Sequence, residues 1–221
     1  MPRTLWMKRL AETRVGRALR RTPVVVWVLL VPSWVTALIM DRDEFATDHL
    51  LYYHIPDLTE APLRILPNLF VTPLVNTQVD QVILITILIG TFGVLVERRL
   101  GALAALAIFW GTSAAAALGA GVLLHLLYPL FPDVHTFGEG GWYRVFNGAS
   151  AGGFGLMAAY AALSPRPWLW IGLFALWEPT FWLLVTNDYT FAFHFIAFTT
   201  GFVGVRLYQR RQRRSAPAGS T

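Results

Sequence analysis

Residues 82–101 read VILITILIGTFGVLVERRLG, an apolar run that ends abruptly in charged side chains. The first 15 of these residues carry no charge and do not alternate between polar and apolar, which is typical of a helix in lipid rather than of a membrane β-strand. Glu97, Arg98 and Arg99 then mark a short turn before the next apolar run. We therefore predict a transmembrane helix over residues 72–96 and a second one directly after the turn.

The composition of the whole chain also indicates a membrane protein. Of the 221 residues, 55% are hydrophobic and only 14% are charged, and the mean hydropathy is +0.51. A soluble domain carries about 25% charged residues, so this chain has too few to cover a water-facing surface. A helical span needs roughly 20 apolar residues, so six spans would take about 120 residues and leave about 100 for loops and tails. The predicted fold class is all-α, a polytopic membrane protein with six transmembrane helices.

Six apolar runs follow one another along the chain. Their predicted bounds are 23–40, 72–96, 102–127, 146–163, 168–186 and 189–208. Long polar loops are expected over residues 41–67 and 129–145. The predicted domains are a basic amphipathic cytoplasmic tail over residues 1–22, a six-helix membrane domain over 23–208 and a disordered basic cytoplasmic tail over 209–221.

The basic residues indicate how the chain is oriented. If the N-terminus is cytoplasmic, both tails and the turns at 97–101 and 164–167 hold 15 of the 18 cations, and the outer loops hold three cations beside nine acids. The positive-inside rule then places both termini in the cytoplasm. Because 17 of the 18 cations are arginine, we interpret the coding composition as bacterial and predict a bacterial plasma membrane.

Several partners and cofactors are excluded by composition. The net charge of +5 sits at the chain ends and in turns, unlike a nucleic-acid footprint, so no nucleic acid is expected. The absence of cysteine excludes disulfides, thiolate metal sites and a cysteine nucleophile. His49, His54 and His135 are too scattered for a metal site, so we predict neither metal nor cofactor. The expected partners are the lipid bilayer and transmembrane proteins.

Polar residues inside the predicted spans are the functional candidates, since ionisable groups are costly in lipid. At 1.5 Å per helical residue, Ser150 lies about 6 Å and His194 about 6–8 Å below the outer surface. Asp80 and Gln81 lie in the first turns of the second span, at a similar depth. Glu178 is the second intramembrane acid and lies nearer the midplane.

Ser150 lies in the sequence Gly148-Ala149-Ser150-Ala151-Gly152, which matches the nucleophile elbow of α/β-hydrolases. That elbow needs a strand-to-helix turn in a soluble sheet, which cannot be built here. Small residues in this stretch also allow helices to approach closely, so helix packing alone is an alternative interpretation of the serine.

His194 makes a catalytic interpretation of the serine stronger. Ala197 and Gly201 follow it on one broad helix face, so the sixth helix can approach a neighbour with the imidazole at the contact. If the neighbour is the fourth span, the imidazole could act as general base for Ser150. A simple interhelical hydrogen bond is the alternative for the histidine alone.

These features together resemble the rhomboid family of intramembrane serine proteases. The similarity includes the Gly-x-Ser context of Ser150, the histidine with small residues after it, the sequence from Gly93 through Glu97 to Gly101, and a Thr-Pro entry to the second span at residues 72–73. The resemblance implies a Ser150–His194 dyad, with no acidic third member, that cleaves transmembrane proteins near the outer leaflet.

The second span differs from the family pattern of a histidine and, four residues on, an asparagine that help to stabilise the oxyanion. Counting back from Glu97 places Gln81 and Ile85 at these positions, whereas counting forward from residues 72–73 places Val82 and Thr86 there. The candidate oxyanion donors are therefore Gln81 and Thr86.

Two other functions stay open at this stage. The altered second span is compatible with a catalytically inactive rhomboid-like protein that binds membrane-helix clients. Asp80 and Glu178 could instead serve a small transporter or channel. Glu178 itself is interpreted either as part of a substrate gate or as a hydrogen-bonded acid beside a kink at Pro179.

Overall fold

A computed structural model describes residues 22–40, 53–134, 139–143, 145–186 and 189–215. The predicted amphipathic tail over residues 1–22 lies outside the described residues apart from its last position. The helices and strands are α1 (a π-helical turn Val26–Leu30 that continues as Val31–Met40), β1 (Tyr53–His54), α2 (Asp57–Glu60), α3 (Pro62–Val71), α4 (Val79–Leu100), α5 (Ala102–Leu127), α6 (Glu139–Trp142), β2 (Val145–Phe146), α7 (Ser150–Leu163), α8 (Pro167–Phe181, then a π-helical turn Trp182–Thr186) and α9 (Thr190–Ser215).

In the described part of the chain the regular elements are helices apart from one pairing of two short strands, which confirms the predicted all-α class. Among the described residues, three helices, α4, α5 and α9, are long and apolar enough to cross a membrane. Shorter apolar helices cover Val26–Ile39 and Ser150–Leu163. The chain is therefore compatible with an integral membrane protein.

Helix α7 lies at the centre of the helix packing. Its residues 152–159 are all buried, and it packs against α4, α5, α8 and α9. Its small side chains make this possible: a Cβ at Gly152 would overlap the Phe109 ring of α5, and one at Gly155 would overlap Thr112. From the other side, a Cβ at Gly201 of α9 would lie 2.5 Å from the Gly155 carbonyl oxygen.

The turn between α4 and α5 joins three helices at one end of the molecule. The Glu97 carboxylate accepts the backbone N–H groups of Val24 at 2.8 Å and Val25 at 2.9 Å, which caps the start of α1. Arg99 donates to the carbonyl oxygen of Leu163 at the end of α7 at 2.9 Å. Gly101 adopts φ 89°, a conformation that favours glycine, and so lets the chain reverse into α5.

The predicted loop 41–67 and the start of the second span differ from the structure. Residues 41–52 lie outside the described part of the chain. Helix α2 occupies residues 57–60 and α3 begins at residue 62, within the stretch where the acidic side chains predicted a loop. The second long helix begins at Val79 rather than residue 72. Pro73 lies in a 3₁₀ turn, Thr72–Leu74, and the chain is then non-helical until the helix starts.

The predicted disordered tail is also wrong for residues 209–215, which continue α9 to Ser215. Arginine and glutamine are good helix formers, and a helix that leaves the apolar region needs no change of backbone to continue. Gln212 also donates to the Tyr208 hydroxyl one turn earlier at 3.1 Å. The remaining residues, 216–221, lie outside the described part.

Candidate functional site

Ser150 is the first residue of α7, and the chain before it is held from two sides. β2 pairs antiparallel with β1, with Phe146 opposite Tyr53. The Gly148 N–H donates to the Thr72 carbonyl oxygen at 3.1 Å. Gly148 itself has φ 96°, a left-handed conformation that side chains rarely adopt. These contacts fix the direction in which the chain enters α7 and therefore where the serine hydroxyl lies.

His194 of α9 lies beside this hydroxyl. Its Nε2 is 3.0 Å from Ser150 Oγ, within hydrogen-bond range. The imidazole is 3% exposed. The face of α9 below it is packed against its neighbours, with Ala197 fully buried and Gly201 in contact with the α7 backbone.

Glu178 of α8 contacts the other nitrogen of the same imidazole. Its Oε1 is 2.5 Å from His194 Nδ1, and the side chain is 2% exposed. The hydroxyl, imidazole and carboxylate thus form a continuous chain of contacts across α7, α9 and α8. Reasoning from the sequence had placed Glu178 near the midplane but had not joined it to the histidine.

Aromatic rings surround this chain of polar groups. The Phe154 ring lies 4.4 Å from the His194 ring, measured between centroids, and also contacts Phe174. Phe174 stacks on Phe198. Because such surroundings exclude water, the hydrogen bonds of the histidine are stronger here than they would be in solvent.

A small cavity of about 90 Å³ lies on the open side of Ser150. The polar residues lining it include Asn68, Gln81, Ser113, Asn147 and Thr190. Gln81 comes close to the loop before the serine, since a Cβ at Gly148 would lie 2.6 Å from Gln81 Nε2. The candidate donor Gln81 is therefore near Ser150.

The other candidates from the second span are not brought to the serine. The Thr86 hydroxyl donates to the Val82 carbonyl oxygen at 2.7 Å and accepts from Trp34 Nε1 at 3.0 Å, so it joins α4 to α1. Asp80 is exposed, and its carboxylate accepts the Gln81 N–H at 2.9 Å in the first turn of α4. Asp80 and Glu178 thus lie in different surroundings, and neither lines the cavity beside Ser150.

The other residues of the predicted motifs shape turns of the backbone or allow helices to pack closely. Gly148 shapes the entry to α7, Gly152 and Gly201 permit close helix packing, and Glu97 and Gly101 build the turn between α4 and α5. Within the described ranges, no group of three or more histidine, aspartate or glutamate side chains is arranged to hold a metal ion.

No protein-family model matches this chain, and no curated protein is similar enough to count as a match. The resemblance to rhomboid proteases therefore stays a prediction that rests on the motifs of the chain itself.

Proposed function

We propose that the chain is a rhomboid-like intramembrane serine protease with six transmembrane helices. In this proposal Ser150 is the nucleophile and His194 the general base. The observation that carries the proposal is the 3.0 Å contact between Ser150 Oγ and His194 Nε2, whose residues are 44 positions apart and come from different helices. A hydroxyl within hydrogen-bond reach of an imidazole is the arrangement that nucleophilic catalysis requires.

The reaction begins when Ser150 Oγ attacks the carbonyl carbon of a peptide bond and its proton passes to His194 Nε2. The tetrahedral intermediate then collapses, the C–N bond breaks, and the histidine returns the proton to the leaving amine. This leaves an ester between Ser150 and the acyl half of the substrate. Water, activated by the same imidazole, hydrolyses the ester and regenerates the hydroxyl.

The negative charge on the carbonyl oxygen needs hydrogen-bond donors. Ser150 is the first residue of α7, so the backbone N–H groups of the first helical turn have no partner within the helix, and the helix dipole favours a negative charge there. The Gln81 amide is a side-chain donor from the second span that lies beside the loop before Ser150. It would replace the histidine of the family pattern.

Two further features support hydrolysis of a membrane substrate. The cavity beside Ser150, at about 90 Å³, is large enough and polar enough to hold water. A nearly apolar groove of about 570 Å³ runs between α4 and α8, and Phe154 both lines it and contacts His194. An apolar segment in this groove would lie one side chain away from the imidazole.

The test is covalent labelling of the purified full chain in detergent by a fluorophosphonate probe. We expect the wild type to label and both Ser150→Ala and His194→Ala to fall to background. Ser33→Ala is the matched control, because Ser33 is a buried serine that donates to Leu29 within α1, and it should label like the wild type. Wild-type labelling no stronger than that of Ser150→Ala would overturn the proposal.

A client-binding protein without catalysis is the second candidate, and the apolar groove favours it equally. It predicts that a transmembrane client is captured by the wild type, Ser150→Ala and His194→Ala alike, while none of the three labels. Loss of capture in either folded variant would count against this second function.

A further inference from the structure

Glu178 is unusual on its own helix. Over Pro167–Phe181, the buried side chains are Phe174 and Glu178, one turn apart, whereas Leu176, Trp177 and Thr180 are exposed. The acid therefore lies on the single stripe of α8 that faces the rest of the molecule. At that position it meets His194 and, among the described residues, no other hydrogen-bond partner.

The charge state of Glu178 decides which way the hydrogen bonds run. An ionised carboxylate only accepts, so with Glu178 ionised the hydrogen of this contact belongs to His194 Nδ1. The neutral imidazole then has its free lone pair on Nε2, the nitrogen that lies 3.0 Å from Ser150 Oγ. Without the carboxylate, the tautomer with hydrogen on Nε2 would compete, and that form cannot accept the serine proton.

Packing does not require an acid at this position. Burying a carboxylate carries a desolvation cost, so apolar residues in place of a buried charged contact are often as stabilising or more so. The carboxylate is also placed to stabilise the imidazolium that forms when the histidine takes the serine proton. Orientation and charge stabilisation account for Glu178 better than helix packing does.

We propose that Glu178 is a positioning residue that completes a Ser150–His194–Glu178 triad, an inference that rests on the proposed serine protease function. This differs from the dyad that the family resemblance implies. Glu178 acts through His194 and does not touch the substrate.

The first readout is the tautomer of His194 and needs no activity. Nitrogen NMR of the full chain with ¹⁵N-labelled histidine, in detergent, shows which ring nitrogen carries hydrogen, and His194→Ala identifies the His194 signals among the five histidines. We expect hydrogen on Nδ1 in the wild type. In Glu178→Gln the amide can donate as well as accept, so we expect a mixture of tautomers or hydrogen on Nε2. The same single tautomer in both proteins would overturn the proposal.

The second readout is the rate of fluorophosphonate labelling. We expect Glu178→Gln to label about 10²–10⁴-fold more slowly than the wild type, since loss of the acid in soluble Ser-His-Asp triads costs up to about 10⁴-fold. Glu97→Gln is the matched control: it makes the same chemical change in the carboxylate that caps α1. It should lower the melting temperature and leave both the tautomer and the labelling rate unchanged.

The two proposals fail in different ways. If the wild type labels no better than Ser150→Ala, the protease proposal fails, and the NMR readout still decides whether Glu178 controls the tautomer. If the wild type labels and Glu178→Gln labels at the same rate, only the triad is overturned. Should Glu178→Gln fail to fold, Glu178→Asp keeps the charge but shortens the side chain by about 1.5 Å. Undiminished labelling of Glu178→Asp would then overturn the triad.

Discussion

The contact between Gly201 of α9 and Gly155 of α7 makes the catalytic distance sensitive to a single methyl group. In Gly201→Ala the new Cβ would lie 2.5 Å from the Gly155 carbonyl oxygen, whereas an ordinary contact needs about 3.4 Å. The obstacle is backbone, which cannot rotate out of the way as a side chain can. The two helices must therefore separate by roughly 0.9 Å at this point.

His194 lies two turns before Gly201 on the same helix, so the separation reaches the catalytic contact. If α9 moves as a rigid body, the 3.0 Å distance between His194 Nε2 and Ser150 Oγ grows by up to about 0.9 Å, to at most about 3.9 Å, which is beyond hydrogen-bond range. A misplacement of about 1 Å can reduce a rate about 100-fold. Overpacking of this kind costs about 1–3 kcal/mol of stability, which a folded helical protein tolerates.

The measurement is the fluorophosphonate labelling rate together with the melting temperature in the same detergent. Gly204→Ala is the control: it lies on the same helix, its Cβ would meet nothing within 4 Å, and it makes the same gain in helix propensity. We expect about 100-fold slower labelling in Gly201→Ala and a wild-type rate in Gly204→Ala. Wild-type labelling by a folded Gly201→Ala protein would refute this account of how helix packing sets the site.

Three further predictions follow from other contacts. Gln81→Leu removes the proposed side-chain oxyanion donor and should lower kcat for a transmembrane client about 10²–10³-fold; an unchanged kcat would show that Gln81 is not an oxyanion donor. Gly148→Ala forces a left-handed backbone conformation on alanine, at about 1–2 kcal/mol, and pushes against the Gln81 amide, so both the melting temperature and the labelling rate should fall. Because the chain has no cysteine, Thr59→Cys and Ser215→Cys can test the predicted orientation. A membrane-impermeant maleimide should reach the first from outside intact cells and the second only after permeabilisation, and the reverse pattern would contradict the positive-inside assignment.

The sequence predicted helices well where hydropathy changed sharply. The predicted third span, 102–127, coincides with α5, because its start is set by the charged turn and the glycine before it. The loop before the second span was harder. Ile65 and Asn68 of α3 are buried while Leu63 and Phe70 are exposed, so burial along this short helix does not follow hydrophobicity, and Pro67, a residue that disfavours helix interiors, lies within it.

Part of the functional site could likewise be predicted from the sequence, and part of it could not. Depth along the membrane normal is counted in residues, so Ser150 and His194 could be assigned a common level from the sequence. Rotation of a helix about its own axis is different, because the outward and inward faces of α8 are both apolar and hydropathy does not distinguish them. Its exposed side chains, such as Leu173 and Trp177, are as hydrophobic as its buried Phe174. Only the cost of leaving a carboxylate in lipid indicates that Glu178 turns inward, and that cost does not name its partner. The partner follows from the packing of α8 beside α9, which the sequence does not encode in any local pattern.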